Sequence, residues 1–161
     1  MLHRLLIFAG SALALLITAS LPVSAADDPA NVVKYRQTLM KATGAHLGMV
    51  ASVVKGEVSL TDEIPGNAAG LVTISQMLVS NLQQLFPEGT DEAGGFETAS
   101  LPAIWQDWSG FEAAATKFEE EATKFAEVAQ GGDMATIGPA LGALGKNGCG
   151  GCHESFRKKK Q

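Results

Sequence analysis

The stretch 102–130 constrains the fold more than any other part of the chain. Ile104, Trp105, Trp108, Phe111, Ala115, Phe118, Ala122 and Phe125 recur at spacings of three and four, the repeat that lines one side of an α-helix. An aromatic stripe at this spacing reads as core packing rather than as a cofactor contact. Glu119, Glu120 and Glu121, followed by Lys124, mark the more solvated side. A helix with one apolar face needs partners to cover it, and Pro and Gly divide the rest of the chain into three more such segments. The first runs from about Pro29 to Lys55, opened by Asp27-Asp28 with Pro29 in its first turn. After a connector at Gly56–Gly66, the second covers about Asn67 to Phe86, with Leu71, Ile74, Ser75, Leu78, Leu82 and Leu85 at helical spacing. Pro87–Leu101 is a longer loop. Gly131-Gly132 ends the 102–130 helix, and Asp133 is the expected N-cap of a last helix reaching about Lys158. No segment alternates as a strand would. The expected fold is all-α, an antiparallel up-down-up-down four-helix bundle.

The N-terminal stretch stands outside that domain. Met1–Arg4 is short and positive, Leu5–Leu16 is almost wholly apolar, and Val23-Ser24-Ala25 offers small residues at a cleavage point. This is the pattern of a secretory leader over residues 1–25, and its apolar run falls short of the ~20 residues that span a bilayer. The expected product is an exported, periplasmic domain over 26–161 with no stable membrane insertion after cleavage. Without the leader, 11 basic residues face 17 acidic ones, a balance of −6. So acidic a chain argues against nucleic acid or anionic lipid as its main partner. Arg157-Lys158-Lys159-Lys160 is its one basic cluster, readable as a solvated helix end or as a patch for docking an acidic partner.

The two cysteines carry the chemistry. Cys149-Gly150-Gly151-Cys152-His153 is the C-x-x-C-H pattern of c-type haem attachment. On a helix, thiols three apart project within about 100° of one another, and an imidazole four after the first lies one turn along. Both thiols can then add to haem vinyl groups while His153 reaches the iron, and Gly150 and Gly151 present nothing to obstruct the macrocycle. A disulfide would close a very small loop and leave His153 unexplained. A thioredoxin-like site wants its first thiol at a helix N-terminus after a strand. A structural zinc site needs four ligands, and the only other His in the mature chain, His46, is far away in sequence.

The iron's sixth position is less determined. In the first helix, Arg36, Met40, Gly44, Leu47 and Ala51 recur at spacings of three and four. Met40 offers a thioether, Arg36 a cation one turn earlier, and Gly44 room for a flat group. A core methionine with no ligating role fits the same spacing.

With these residues in place, the chain resembles the class II c-type cytochromes, the cytochrome c′ group. The resemblance rests on Lys34-Tyr35-Arg36-Gln37, Val54-Lys55-Gly56, Pro102-Ala103-Ile104-Trp105, and Cys149–His153 followed by Phe156-Arg157. The Leu39-Met40-Lys41 stretch is most like the low-spin cytochrome c-556 members, which place a Met over the iron, where five-coordinate members place a non-ligating apolar residue. The resemblance implies one covalent haem c, His153 as proximal ligand, Met40 as distal ligand, Arg36 beside a haem propionate and Arg157 beside the proximal ligand. It implies an electron carrier rather than an enzyme, working with redox proteins of the periplasm. His/Met ligation leaves no open position at iron and favours a relatively high potential. The alternative is a five-coordinate protein binding NO or CO, with Met40 and Leu47 only lining the distal pocket. A peroxidase is disfavoured, since no distal His and Arg pair is evident. Homodimers through the first two helices are common in the group.

Overall fold

A computed structural model describes residues 27–159, so the expected leader lies outside the described residues. Its helices are α1 (Pro29–Val54), α2 (Ile64–Ser80), α3 (Leu82–Leu85), α4 (Ala103–Gln106), α5 (Trp108–Gln130), α6 (Met134–Ala143) and α7 (Gly151–Phe156), with a π-helical segment, Leu144–Gly150, joining the last two. They form four antiparallel rods: α1, α2 with α3, α4 with α5, and α6 through α7. The second rod packs on α5, the fourth packs along the far side of α5, and α1 closes the bundle against α2, α3 and α6.

The ends follow from local chemistry. Asp28 and Asp133 cap α1 and α6, each accepting a backbone N–H two residues on at 2.9 Å. The end of α1 is a Schellman turn, since Gly56 takes φ +73°, its N–H donates to Val53 O and that of Glu57 to Ser52 O, both at 2.9 Å. The apolar positions expected on α2, α3 and α5 form the core: Leu71, Ile74, Ser75, Leu78, Leu82, Leu85, Ile104, Phe111, Ala115, Phe118, Ala122 and Phe125 are buried, while Trp105 and Trp108 are half-buried. Burying each Phe or Leu contributes about 1.5–3 kcal/mol. Phe111 is a hub, with ring centroids 4.8 Å from Phe86, 5.7 Å from Trp108 and 5.3 Å from Phe156.

Four expectations are corrected. The second helix starts at Ile64, with Pro65 inside its first turn, and breaks at Asn81. The third breaks at Asp107, whose carboxylate turns back to accept Gly110 N–H at 3.1 Å and cap α5. A side chain at position 110 would require that carboxylate to move. Glu121 is not on the solvated side: it is buried at the edge of α5 and ion-paired to Lys117 at 3.1 Å and Lys124 at 2.9 Å. The last helix runs unbroken from Met134 to Phe156, but it is not α throughout. Pro139 sits inside α6, and the glycine-rich run beyond it adopts π geometry, in which each N–H bonds five residues back.

Candidate functional site

Cys149 lies in the π segment, Cys152 and His153 on α7, all three half-buried. The segment is seated flush on α5. A Cβ at Gly148 would come within 3.0 Å of Leu144 Cδ1, 3.3 Å of Glu121 Cβ and 3.4 Å of Phe118 Cδ2. Glycine at 148 therefore sets how closely the cysteine-bearing turn approaches the bundle. At Gly145 and Gly151, by contrast, a Cβ would meet nothing.

The electrostatics distinguish the readings of the motif. Neither cysteine is in a disulfide, and both pack against the core. Burial raises the pKa of Cys149, and that of Cys152 to about 11, with the neighbouring Cys149 adding to the second shift. A redox-active C-x-x-C needs the opposite, a thiol driven toward thiolate. Among the described residues no three His, Cys, Asp or Glu side chains could hold a bare metal ion, so the trio does not converge as a zinc site requires. Two thiols side by side with an imidazole one turn along fit a flat macrocycle instead. Burial, and the Arg157 guanidinium whose Nη1 lies 3.5 Å from Nδ1, hold His153 below its ordinary pKa. A neutral imidazole has the lone pair that iron requires.

The α1 residues divide. The buried stripe of α1 is Val33, Arg36, Leu39, Thr43, Val50 and Val53. The face expected toward a cofactor runs beside it: Met40, Leu47 and Ala51 are half-buried, and Gly44 is exposed with open space where a Cβ would be. His46 is turned to α2, its Nδ1 2.9 Å from Asn67 Oδ1 and its ring against the Gly70 backbone. Asn67 Nδ2 donates to Glu63 O, which leaves the Asn67 oxygen facing the imidazole.

Arg36 is not a solvated cation. It is 3% exposed, and its guanidinium lies 4.7 Å over the Phe86 ring. Nη1 donates to Leu85 O at 3.1 Å and Thr90 Oγ1 at 2.7 Å, and Nη2 to Thr90 O and, at 3.4 Å, to Thr98 Oγ1. Burial lowers its pKa to about 10, against the attraction of Asp91, so it stays charged at neutral pH. The roles of Thr90, Phe86 and Thr98 around Arg36 have no signal in the sequence, because contacts across 50 to 62 residues leave no local signature. In the basic tail Lys158 is also tied down: its N–H donates to Ala99 O at 2.8 Å and its ammonium pairs with Glu92 at 2.8 Å. Among the described residues, no helix is long and apolar enough to cross a membrane.

Comparison with known proteins agrees with this geometry. The model of the family described as Cytochrome C′ matches residues 31–157. The chain is 37% identical over 130 residues to cytochrome c′ of Pararhodospirillum photometricum, covering 81% of this chain and 98% of that protein. It is 34% identical over 156 residues to cytochrome c′ of Rhodospirillum rubrum, covering 97% and 99%. Cytochrome c-556 of Agrobacterium tumefaciens is 32% identical over 131 residues, covering 81% and 100%. Among solved structures, a nitric oxide complex of a point mutant of cytochrome c prime from Alcaligenes xylosoxidans has a TM-score of 0.68 at 30% identity, covering 81% and 97%. A cytochrome c′ described as having an unusual ligand-controlled dimer dissociation has a TM-score of 0.74 at 26% identity, covering 84% and 100%. The match runs through all four rods, and the chain belongs to the cytochrome c′ family, whose members bind one c-type haem covalently.

Proposed function

We propose that the protein is a periplasmic haem c protein that binds NO or CO at a five-coordinate iron, with His153 as protein ligand and Met40 lining the opposite side without ligating. The observation that carries this reading is Met40 itself, half-buried and packed against the core in a chain whose relatives are mostly named cytochrome c′. The nitric oxide complex among its structural neighbours points the same way. Haem c supplies one-electron exchange and an iron that takes a diatomic gas. The chain's own residues supply the setting. Cys149 and Cys152 hold the macrocycle through two thioethers, and His153 contributes a neutral imidazole. Met40, Leu47 and Ala51 form an apolar wall that excludes water and anions. Arg36 has spent Nη1 and Nη2 on the 85–98 loop, which leaves Nε as its donor to a propionate. The same proposal includes a homodimer through α1 and α2, where Tyr35, Met49 and Met77 are exposed, and redox proteins as partners.

A second reading is favoured by Leu39-Met40-Lys41 and by the likeness to cytochrome c-556 of Agrobacterium tumefaciens. Met40 then ligates, and the protein is a low-spin electron carrier. Neither reading makes it an enzyme. Optical and electron paramagnetic resonance spectra separate the two. A high-spin wild type whose spin state survives Met40→Leu is expected. A low-spin wild type that turns high-spin in Met40→Leu establishes the second reading instead. Replacing Cys149 and Cys152 together with Ser should abolish haem staining on denaturing gels, and a stain that persists sinks both readings.

A further inference from the structure

We propose that the segment Leu85–Leu101 is a strap that couples α1 to the helix of His153, with Arg36 and Thr90 as the positioning residues at its α1 end. The proposal rests on the reading that His153 holds the iron and that α1 faces the other side of the haem. At one end, Arg36 grips Leu85, Thr90 and Thr98 by the bonds already given, and Gln37 Nε2 donates to Glu97 O at 2.7 Å. The Thr90 hydroxyl accepts from Arg36 and donates to Pro87 O at 2.7 Å, so it ties the grip to the loop's own turn. At the other end, Leu101 N–H donates to Phe156 O at 3.0 Å and Lys158 N–H to Ala99 O at 2.8 Å. Between them, Thr98 and Ser100 are linked twice, hydroxyl to hydroxyl at 3.1 Å and Ser100 N–H to Thr98 Oγ1 at 3.2 Å.

The run therefore begins one turn before Met40 and ends three residues after His153. Packing runs beside it, since α1 also rests on α6 of the same rod and the Phe86 ring under Arg36 reaches Phe156 through Phe111, but the strap is the path made of directional hydrogen bonds. A buried charge held by this many acceptors is costly to release, so a shift of α1 is passed along the strap rather than absorbed at Arg36. Strap tension thus helps to fix where His153 stands relative to α1.

Thr90 hydrogen-bonds to Arg36 and Pro87 and to none of Cys149, Cys152, His153 or Met40, so Thr90→Val tests the strap without altering the haem ligands. The measurement is amide hydrogen exchange of the holoprotein, which reads the strap whatever the iron's coordination, while the wild-type spin state reports separately on the proposed function. We expect the amides of Leu101 and Lys158 to exchange about tenfold faster in Thr90→Val, with α2 and the α5 interior unchanged. Thr90→Ser, which keeps the hydroxyl, should restore protection. Gln37→Ala, a change outside the buried core, should give a smaller acceleration at the same two amides. The resonance Raman signature of the iron–His153 bond should shift in Thr90→Val and return in Thr90→Ser. Wild-type protection at Leu101 and Lys158 in Thr90→Val, or a uniform loss across all helices, overturns the proposal.

Discussion

The third and fourth rods of the bundle lie side by side and follow opposite rules. α5 is a single helix of 23 residues, capped by Asp107 and buried along one aromatic stripe. Its neighbour changes geometry twice between Met134 and Phe156, contains a proline, and is rich in glycine around the two cysteines. Both are helical by composition, yet only the first is optimised for packing. The second gives up regular α-helix around the two cysteines proposed to hold the cofactor. Regularity belongs to the scaffold, and departures from it mark the site.

The contrast is broken most severely at the point where the two rods meet. Phe111→Ala removes the ring shared by Phe86, Trp108 and Phe156. It should cost about 3–5 kcal/mol in denaturant unfolding of the holoprotein. A loss below ~1 kcal/mol would mean that the aromatic hub is peripheral.

A smaller effect is expected inside the π segment, where two glycines make matched tests. Gly148→Ala forces a methyl against Leu144, Glu121 and Phe118 and should cost about 1–3 kcal/mol, with a lower yield of covalent haem. Gly145→Ala meets open space and should be neutral or stabilising by up to ~1 kcal/mol. Equal behaviour of the pair in thermal unfolding would show that close seating on α5 does not matter.

The smallest effect concerns Glu121. Lys124, then Lys117, hold its carboxyl below the usual carboxylate range. Its folded pKa is thus lower than its unfolded one, so its contribution is present above the unfolded value and disappears as pH falls through the folded one. Glu121→Gln should be slightly less stable than wild type at neutral pH, with the gap closing in strong acid. A gap that persists there assigns the effect to packing beside Gly148.

Legibility in the sequence followed the same division. The stripe of α5, the buried positions of α2 and the caps at Asp28 and Asp133 rest on local repetition, and they could be read off directly. The C-x-x-C-H trio was equally plain, because its spacing is its chemistry. Asp107 was missed because apolar positions continue in phase across it, which hides a break of one residue. The π segment was missed because glycine leaves the choice between helix types to the surface beneath, and that surface is α5. Arg36 was placed on the correct helix, but its acceptors come from a loop 49 to 62 residues away. No periodicity reports such a contact.

The Lys158–Glu92 pair bears on how fast the protein meets other molecules. Four consecutive cations after His153 suggest a positive beacon beside the proposed haem site, but the second of them already faces a carboxylate 2.8 Å away. The overall balance over residues 26–161 is negative, and at physiological salt its reach is cut to about 8 Å. Neither sign of charge then projects far from the haem end. Encounters should proceed at the unsteered pace of about 10⁵–10⁶ M⁻¹s⁻¹, and selection among collision partners falls to the fit of surfaces already in contact.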